Sequence, residues 1–358
     1  MKAVLLVGGE GTRLRPLTCN TVKAMVPILN KPFLEHMIGY LKSHDVDDII
    51  LAMCYLPEHI ERYFGDGSRF GVRLTYVMEE SPLGTAGAVR NAEAYLDGPF
   101  LVFNGDIFTD IHLGEMLSFH RRKNAMVTIA LTPVADPSAY GVVETNASGR
   151  VQRFVEKPPR EEATTNLINA GIYILERAVL NDIPPNTRYM FEHDLYPGLL
   201  AKGAHVYGFP SDAYWIDIGT PEKYLQVQCD LLRGKGTTAL HAGATDAQGG
   251  DPAVPNSIHP SANIVGPVLI GSGCTIGPRV RITGPAVIGN GCTILDGATI
   301  EKTVLWTEVH VGKRSIVRNS IVANGSLLGD DSCIDQGSVI GDHTLVAAGS
   351  HLTPDTRL

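Results

Sequence analysis

Isoleucine recurs at every sixth position from Ile258 through Ile264, Ile270, Ile276, Ile282, Ile288 and Ile294 to Ile300. Neither the 3.6-residue period of a helix nor the two-residue period of a strand generates that spacing. It is the pattern of a β-helix solenoid, where each short strand points one aliphatic side chain inward before the chain turns a corner. A second run, Ile316, Val322, Leu328, Ile334, Ile340 and Val346, is out of phase with the first. One break in register is therefore expected between about 303 and 315, with Ile316 opening the second inward row. Many of the hexads carry glycine directly after the aliphatic residue, as in Ile270-Gly271, Ile276-Gly277 and Ile288-Gly289. Cys274 and Cys292 lie four places beyond an inward isoleucine and are expected to face inward as reduced packing thiols. Stacked in adjacent coils, they would sit about 4.8 Å apart. Solenoid stability comes from neighbouring coils and needs no ligand, so chemistry is to be sought elsewhere in the chain.

The first 234 residues follow a different rule. Short apolar runs (Ala3–Val7, Asp48–Met53, Arg73–Val77, Phe100–Phe103, Ala125–Leu131, Ile168–Leu175) alternate with helix-like stretches such as Phe33–Ser43 and His59–Phe64. That alternation predicts an α/β domain with a doubly wound, mostly parallel sheet, whose ligands bind beyond the carboxyl ends of strands. The expected organisation is a domain over 1–234, a Gly-, Ala-, Thr- and Pro-rich linker over 235–255, and a β-helix over 256–358. A formal net charge of −8 argues against nucleic acid or anionic membrane as a partner. None of the six cysteines forms a C-x-x-C pair. With no signal-peptide pattern and no membrane-length apolar run, a cytoplasmic location is expected.

Strand Ala3–Val7 runs into Gly8-Gly9-Glu10-Gly11-Thr12-Arg13-Leu14-Arg15-Pro16-Leu17-Thr18. Glycines let backbone N–H groups surround an anion, and the arginines add bidentate donors suited to phosphate oxygens. The string fits neither the dinucleotide fingerprint nor the P-loop. Two aspartates follow later strands, in Asn104-Gly105-Asp106 and Trp215-Ile216-Asp217-Ile218-Gly219-Thr220. Paired with substrate phosphates, two such carboxylates suit Mg²⁺, which takes few protein ligands.

Together these segments resemble the G-G-x-G-x-R-L-x-P-L-T signature and the later motifs of the nucleotide-sugar pyrophosphorylases. The resemblance covers residues 1 to about 230, and nearly the whole chain when compared with members that make GDP-mannose and carry a carboxyl-terminal left-handed β-helix of hexapeptide repeats. It implies Mg²⁺-dependent transfer of a nucleotidyl group from a nucleoside triphosphate to a sugar 1-phosphate, with release of pyrophosphate. By this resemblance Leu6, Gly8, Gly9, Gly11, Thr12, Gly84 and Thr85 bind the nucleotide. Arg13 neutralises the departing pyrophosphate, Lys23 holds the α-phosphate, and Asp106 and Asp217 are metal ligands. The family reads P-K-P around that lysine, whereas here the sequence is Val22-Lys23-Ala24. Tyr140-Gly141, Glu156-Lys157-Pro158 and Asn169-Ala170-Gly171 match the family's sugar-phosphate contacts in order and spacing.

Glu79, with Glu80 beside it as the alternative, speaks to the base. Relatives that use uridine, thymidine or adenosine nucleotides commonly carry glutamine near this position, whereas guanine's adjacent N–H donors suit a carboxylate. The expected substrates are therefore GTP and, from the nearest resemblance, mannose 1-phosphate. A glucose-1-phosphate thymidylyl-, uridylyl- or adenylyltransferase is the alternative enzyme, and a nucleotide-sugar-binding regulatory subunit the non-catalytic one. Long solenoid sides also predict a homo-oligomer assembled through the β-helix.

Overall fold

A computed structural model of the chain describes residues 1–236 and 254–358; of the linker expected over 235–255, residues 237–253 lie outside the described residues. Packing divides the chain into two compact units. One comprises Met1–Gly9 and Met37–Trp215, the other Glu10–His36 and Ile216–Leu358. The helices are α1 (Phe33–Ser43), α2 (Pro57–Phe64), α3 (Gly84–Asn91), α4 (Leu113–Arg122), α5 (Tyr196–Ala201) and α6 (Pro221–Leu232).

The first unit is built on a nine-stranded sheet. Its strands are β1 (Lys2–Leu6), β2 (Asp48–Met53), β3 (Arg73–Met78), β4 (Phe100–Asn104), β5 (Val127–Pro133), β6 (Gly141–Thr145), β7 (Val151–Glu156), β8 (Leu167–Leu175) and β9 (Val206–Pro210). The order is β7-β6-β8-β4-β1-β2-β3, with β5 also pairing β8, and β9 pairing β5. Strands β4, β1, β2 and β3 form the parallel block that the sequence predicts. The sheet is mixed, because β8 runs antiparallel to β4, β5 and β6. Ala3, Val4 and Leu5 are all buried, which is why β1 reads as an unbroken apolar run rather than an alternation. Leu6 pairs with Asn104 across β1 and β4, so the Gly8 and Asp106 loops leave the same end of the sheet. A turn of π-helix, Phe191–Leu195, leads into α5 and stacks Phe191 against Tyr196 at 5.6 Å.

The second unit contains the β-helix, whose strands form three parallel sheets of six, six and five. Ile276, Ile282, Ile288, Ile294 and Ile300 point inward as expected, as do Cys274 and Cys292, both thiols. The register is lost twice rather than once. After Ile300 the inward row continues at Leu305, Val311 and Val317, then Val322, so five-residue steps occur at 300–305 and 317–322. Ile316, expected inside, is therefore displaced by its neighbour: Val317 pairs with Ile300 and is buried, while Ile316 pairs with Thr299. The glycine after the inward residue has a steric cause. A Cβ on Gly289 would stand 2.4 Å from the Trp306 carbonyl of the next coil.

Helix α6 and the 10–36 segment belong to this same unit. Gln228 accepts from the Leu29 N–H at 2.8 Å and donates to the Pro27 carbonyl at 2.7 Å. The Tyr224 hydroxyl also donates to Pro27 and accepts from Trp306 Nε1 at 2.9 Å. Asn30 Nδ2 donates to the Ile288 carbonyl at 2.9 Å.

Candidate active site

Within the first unit, the loop after β1 lies against β2 and β3. A Cβ on Gly8 would meet the Cys54 backbone at 3.2 Å and Glu79 Oε1 at 3.5 Å, so glycine keeps this strand end open beside the Glu79 carboxylate. Gly9 has open space around it. Glu79 Oε2 accepts the Leu83 N–H at 2.8 Å, which fixes the carboxylate just before α3. Burial pushes the Glu79 carboxyl above its usual range, against the opposing pull of that hydrogen bond. The Leu6 carbonyl accepts the Gly105 N–H at 3.0 Å, and a Cβ on Gly105 would stand 2.3 Å from that oxygen. Glycine is thus required immediately before Asp106.

Gly84 opens α3 with φ +74°, and a side chain there would strike Met190 and Tyr189. The Thr85 hydroxyl accepts the Phe191 N–H at 2.9 Å and contacts Glu192 Oε2 at 3.3 Å.

The sugar-phosphate residues expected from the sequence come together on adjacent strands. Glu156 pairs with Gly141 across β7 and β6, and Val142 pairs with Ile168 of β8. The Lys157 N–H donates to the Tyr140 carbonyl at 3.0 Å. Lys157 Nζ lies 3.2 Å from Glu156 Oε1, with the lysine largely exposed and the glutamate largely covered. Gly141 leaves room for Glu156, whose Oε2 would be 2.8 Å from a Cβ at that position. Asn169 accepts from the Gly171 N–H and donates to the Tyr173 hydroxyl at 2.8 Å. Gly171 (φ +73°) lies against the Asn104 amide, where a Cβ would be 2.8 Å from Nδ2. Tyr140 packs edge-on to Trp215, whose indole N–H donates to the Ala170 carbonyl at 2.8 Å.

The second unit carries the other expected residues. Gly11 (φ +66°) precedes a single 3-10 turn, Thr12–Leu14, and its would-be Cβ lies 3.2 Å from the Cβ of Lys23. The Thr18 hydroxyl donates to the Gly11 carbonyl at 2.8 Å, tying Thr18 back to the head of the loop. Lys23 begins another 3-10 turn, Lys23–Met25. A Cβ on Gly219 would be 2.9 Å from Asp217 Oδ2 and 3.0 Å from Arg13 Nη2, so the D-I-G motif brings Arg13 and Asp217 to one place. Asp217 is nearly buried, and its Oδ1 is ion-paired with Lys223 Nζ.

Two residues at these positions escaped the sequence reading. Lys223 stands in the first turn of α6, where the helix dipole disfavours a cation, and that misplacement was its only signal. Glu192 gave no signal at all, because its position depends on the π-helical turn.

Mg²⁺ fits the donor type, since Asp106 and Asp217 offer hard carboxylate oxygens and no soft ligand. Among the described residues no group of three or more His, Cys, Asp or Glu side chains is arranged to hold a metal. An ion at either aspartate would complete its shell with substrate or water oxygens. Also among the described residues, no helix is long and apolar enough to cross a membrane.

Residues 2–234 match the family model described as nucleotidyl transferase, and residues 255–352 match the EIF2B subunit epsilon left-handed β-helix domain. A mannose-1-phosphate guanylyltransferase of Mycobacterium tuberculosis is 39% identical over 287 residues, covering 77% of this chain and 76% of that protein. A UTP–glucose-1-phosphate uridylyltransferase of Synechocystis is 36% identical over 331 residues, covering 87% and 84%. The crystal structure of HddC from Yersinia pseudotuberculosis complexed with GMP-PN superimposes with a TM-score of 0.56 at 31% identity, over 63% of this chain and 97% of that one.

Proposed function

The chain belongs to the nucleotidyl transferase family, and from that membership we propose that it joins a nucleoside triphosphate to a sugar 1-phosphate, with GTP and mannose 1-phosphate preferred. The observation that carries the reading is the Glu156–Lys157 pair, held by its backbone against Tyr140-Gly141. A cation next to a carboxylate suits a ligand with a phosphate at one end and hydroxyls at the other.

In the proposed reaction an oxygen of the sugar phosphate forms a bond to the α-phosphorus. The bond from that phosphorus to the β-bridging oxygen breaks, and pyrophosphate leaves with the electron pair. A phosphate oxygen is already ionised, so no protein base is needed, and the side chains mainly position groups and offset charge. Arg13 and Lys23 supply cations for the triphosphate, and Gly8, Gly9 and Gly11 put no side chain between the backbone and the phosphates. Asp106 and Asp217 would hold Mg²⁺, whose charge reduces repulsion between the two phosphorylated substrates. Lys223 Nζ is ion-paired with Asp217 Oδ1 and offsets the charge of this nearly buried carboxylate. Glu79 favours guanine, and the guanylyltransferase name of the mycobacterial relative supports the same choice.

The test is a matrix of nucleoside triphosphates against hexose 1-phosphates with Mg²⁺ and pyrophosphate detection. Turnover should be highest with GTP and mannose 1-phosphate, and absence of turnover in every pairing defeats the enzyme reading. Asp106→Asn should lower kcat by at least about a hundredfold with an unchanged thermal transition. We further infer a cytoplasmic homo-oligomer joined through the β-helix, where Leu327 and Leu345 stack in register on the outer face, both exposed. A single-copy mass by light scattering would overturn the oligomer.

A further inference from the structure

We propose that Glu192 accepts ring hydroxyls of the sugar 1-phosphate and sets which sugar the enzyme takes, a role that rests on the sugar-phosphate reading above. Glu192 is the second residue of the π-helical turn Phe191–Leu195. Such turns are uncommon and concentrate at functional sites, because the widened turn re-aims a side chain. This one is fixed from both ends. Asp194 Oδ2 accepts the Met190 N–H at 2.7 Å, and Thr85 Oγ1 accepts the Phe191 N–H at 2.9 Å. The Thr85 hydroxyl then donates to Glu192 Oε2 at 3.3 Å.

Holding Thr85 does not require a carboxylate. A glutamine oxygen would accept the same hydroxyl at a lower desolvation cost. Instead the position carries an acid that burial pushes above its usual range, with the neighbouring Glu156 adding to the shift. Among the described residues Glu192 makes no ion pair with lysine or arginine. The Tyr173 hydroxyl, which accepts from Asn169, feels the same carboxylate. Glu192 thus accepts from Thr85, and strand β7, which ends at Glu156, packs against the π-helical turn that carries it. Thr85 and Glu156 are nucleotide and sugar residues by the reading above. Two neighbouring carboxylates repel a phosphate but accept hydroxyl donors well. Lys157, paired with Glu156, provides the positive charge the phosphate needs. The chemistry thus assigns Lys157 to the phosphate end of the substrate and Glu192 to its ring hydroxyls.

The experiment is steady-state kinetics on the full chain with GTP, hexose 1-phosphates, and deoxy analogues of the preferred sugar lacking one ring hydroxyl each. Glu192→Gln should raise the KM for the sugar 1-phosphate roughly tenfold or more, with the KM for the triphosphate held within about twofold. At least one deoxy analogue should lose about as much with the parent enzyme, and should lose nothing further with Glu192→Gln. An unchanged sugar KM, or equal rises for both substrates, overturns the assignment. Glu192→Asp, which keeps the charge on a shorter arm, serves if Glu192→Gln fails to fold, and should likewise raise the sugar KM alone. Absence of turnover by the parent enzyme with every sugar would defeat the enzyme reading, whereas normal parent turnover with an indifferent variant would defeat only the role of Glu192.

Discussion

Glu79 uses one carboxylate oxygen to accept the Leu83 N–H and keeps the other beside Gly8. Guanine presents two N–H donors side by side, whereas uracil and thymine offer one N–H between acceptors, so the charge at residue 79 bears directly on base choice. Glu79→Gln should lower kcat/KM for GTP about tenfold relative to UTP, the equivalent of about 1.4 kcal/mol, and an unchanged ratio in a competition assay refutes the assignment. Lys157→Met should raise the KM for the sugar 1-phosphate while barely affecting the KM for the triphosphate, as measured by pyrophosphate release. Lys223 shows how much a single residue can conceal. In sequence it is one charge in P-E-K-Y, while in the fold it is the counter-ion of a nearly buried aspartate.

Elements make their own demands. In the β-helix the residue after an inward aliphatic must be small wherever the next coil approaches. Gly289→Ala should therefore lower the chemical unfolding midpoint, costing about 1–3 kcal/mol for the overpacked methyl. Helix α4 buries His120 against the sheet, where its Nδ1 lies 2.8 Å from the Thr128 hydroxyl. Burial depresses the imidazole pKa, partly opposed by Glu176. The unfolded chain titrates near 6.5 while the folded chain resists protonation there, so this stability is present above about pH 6.5 and is lost as pH falls. Thermal transitions of the parent chain should decline from pH 7 to pH 5 more steeply than those of His120→Gln.

At the scale of the molecule, packing does not follow the order of the chain. The segment Glu10–His36 and helix α6 share a unit with the β-helix. The hydrogen bonds from Trp306 to Tyr224 and from Asn30 to Ile288 join them within it. A fragment ending at residue 236 should therefore unfold at lower temperature than the full chain and bind hydrophobic dyes, and a fragment as stable as the whole would contradict this packing.

The six-residue period, the strand–helix alternation and the motif strings were legible in the sequence because each follows from local rules. Strand spacing, backbone approach and turn chemistry act within a few residues, or between identical coils, and leave a repeating mark on composition. The two five-residue steps were read as one break because Val317 and Ile316 are both aliphatic, and only the stacking of coils decides which turns inward. Lys223 opposite Asp217, Glu192 beside Thr85 and Glu156, and the union of residues 10–36 with the solenoid were decided by tertiary structure alone. The last two join residues far apart in the chain and the first turns on how the chain enters α6, so each rests on distances that no local pattern records.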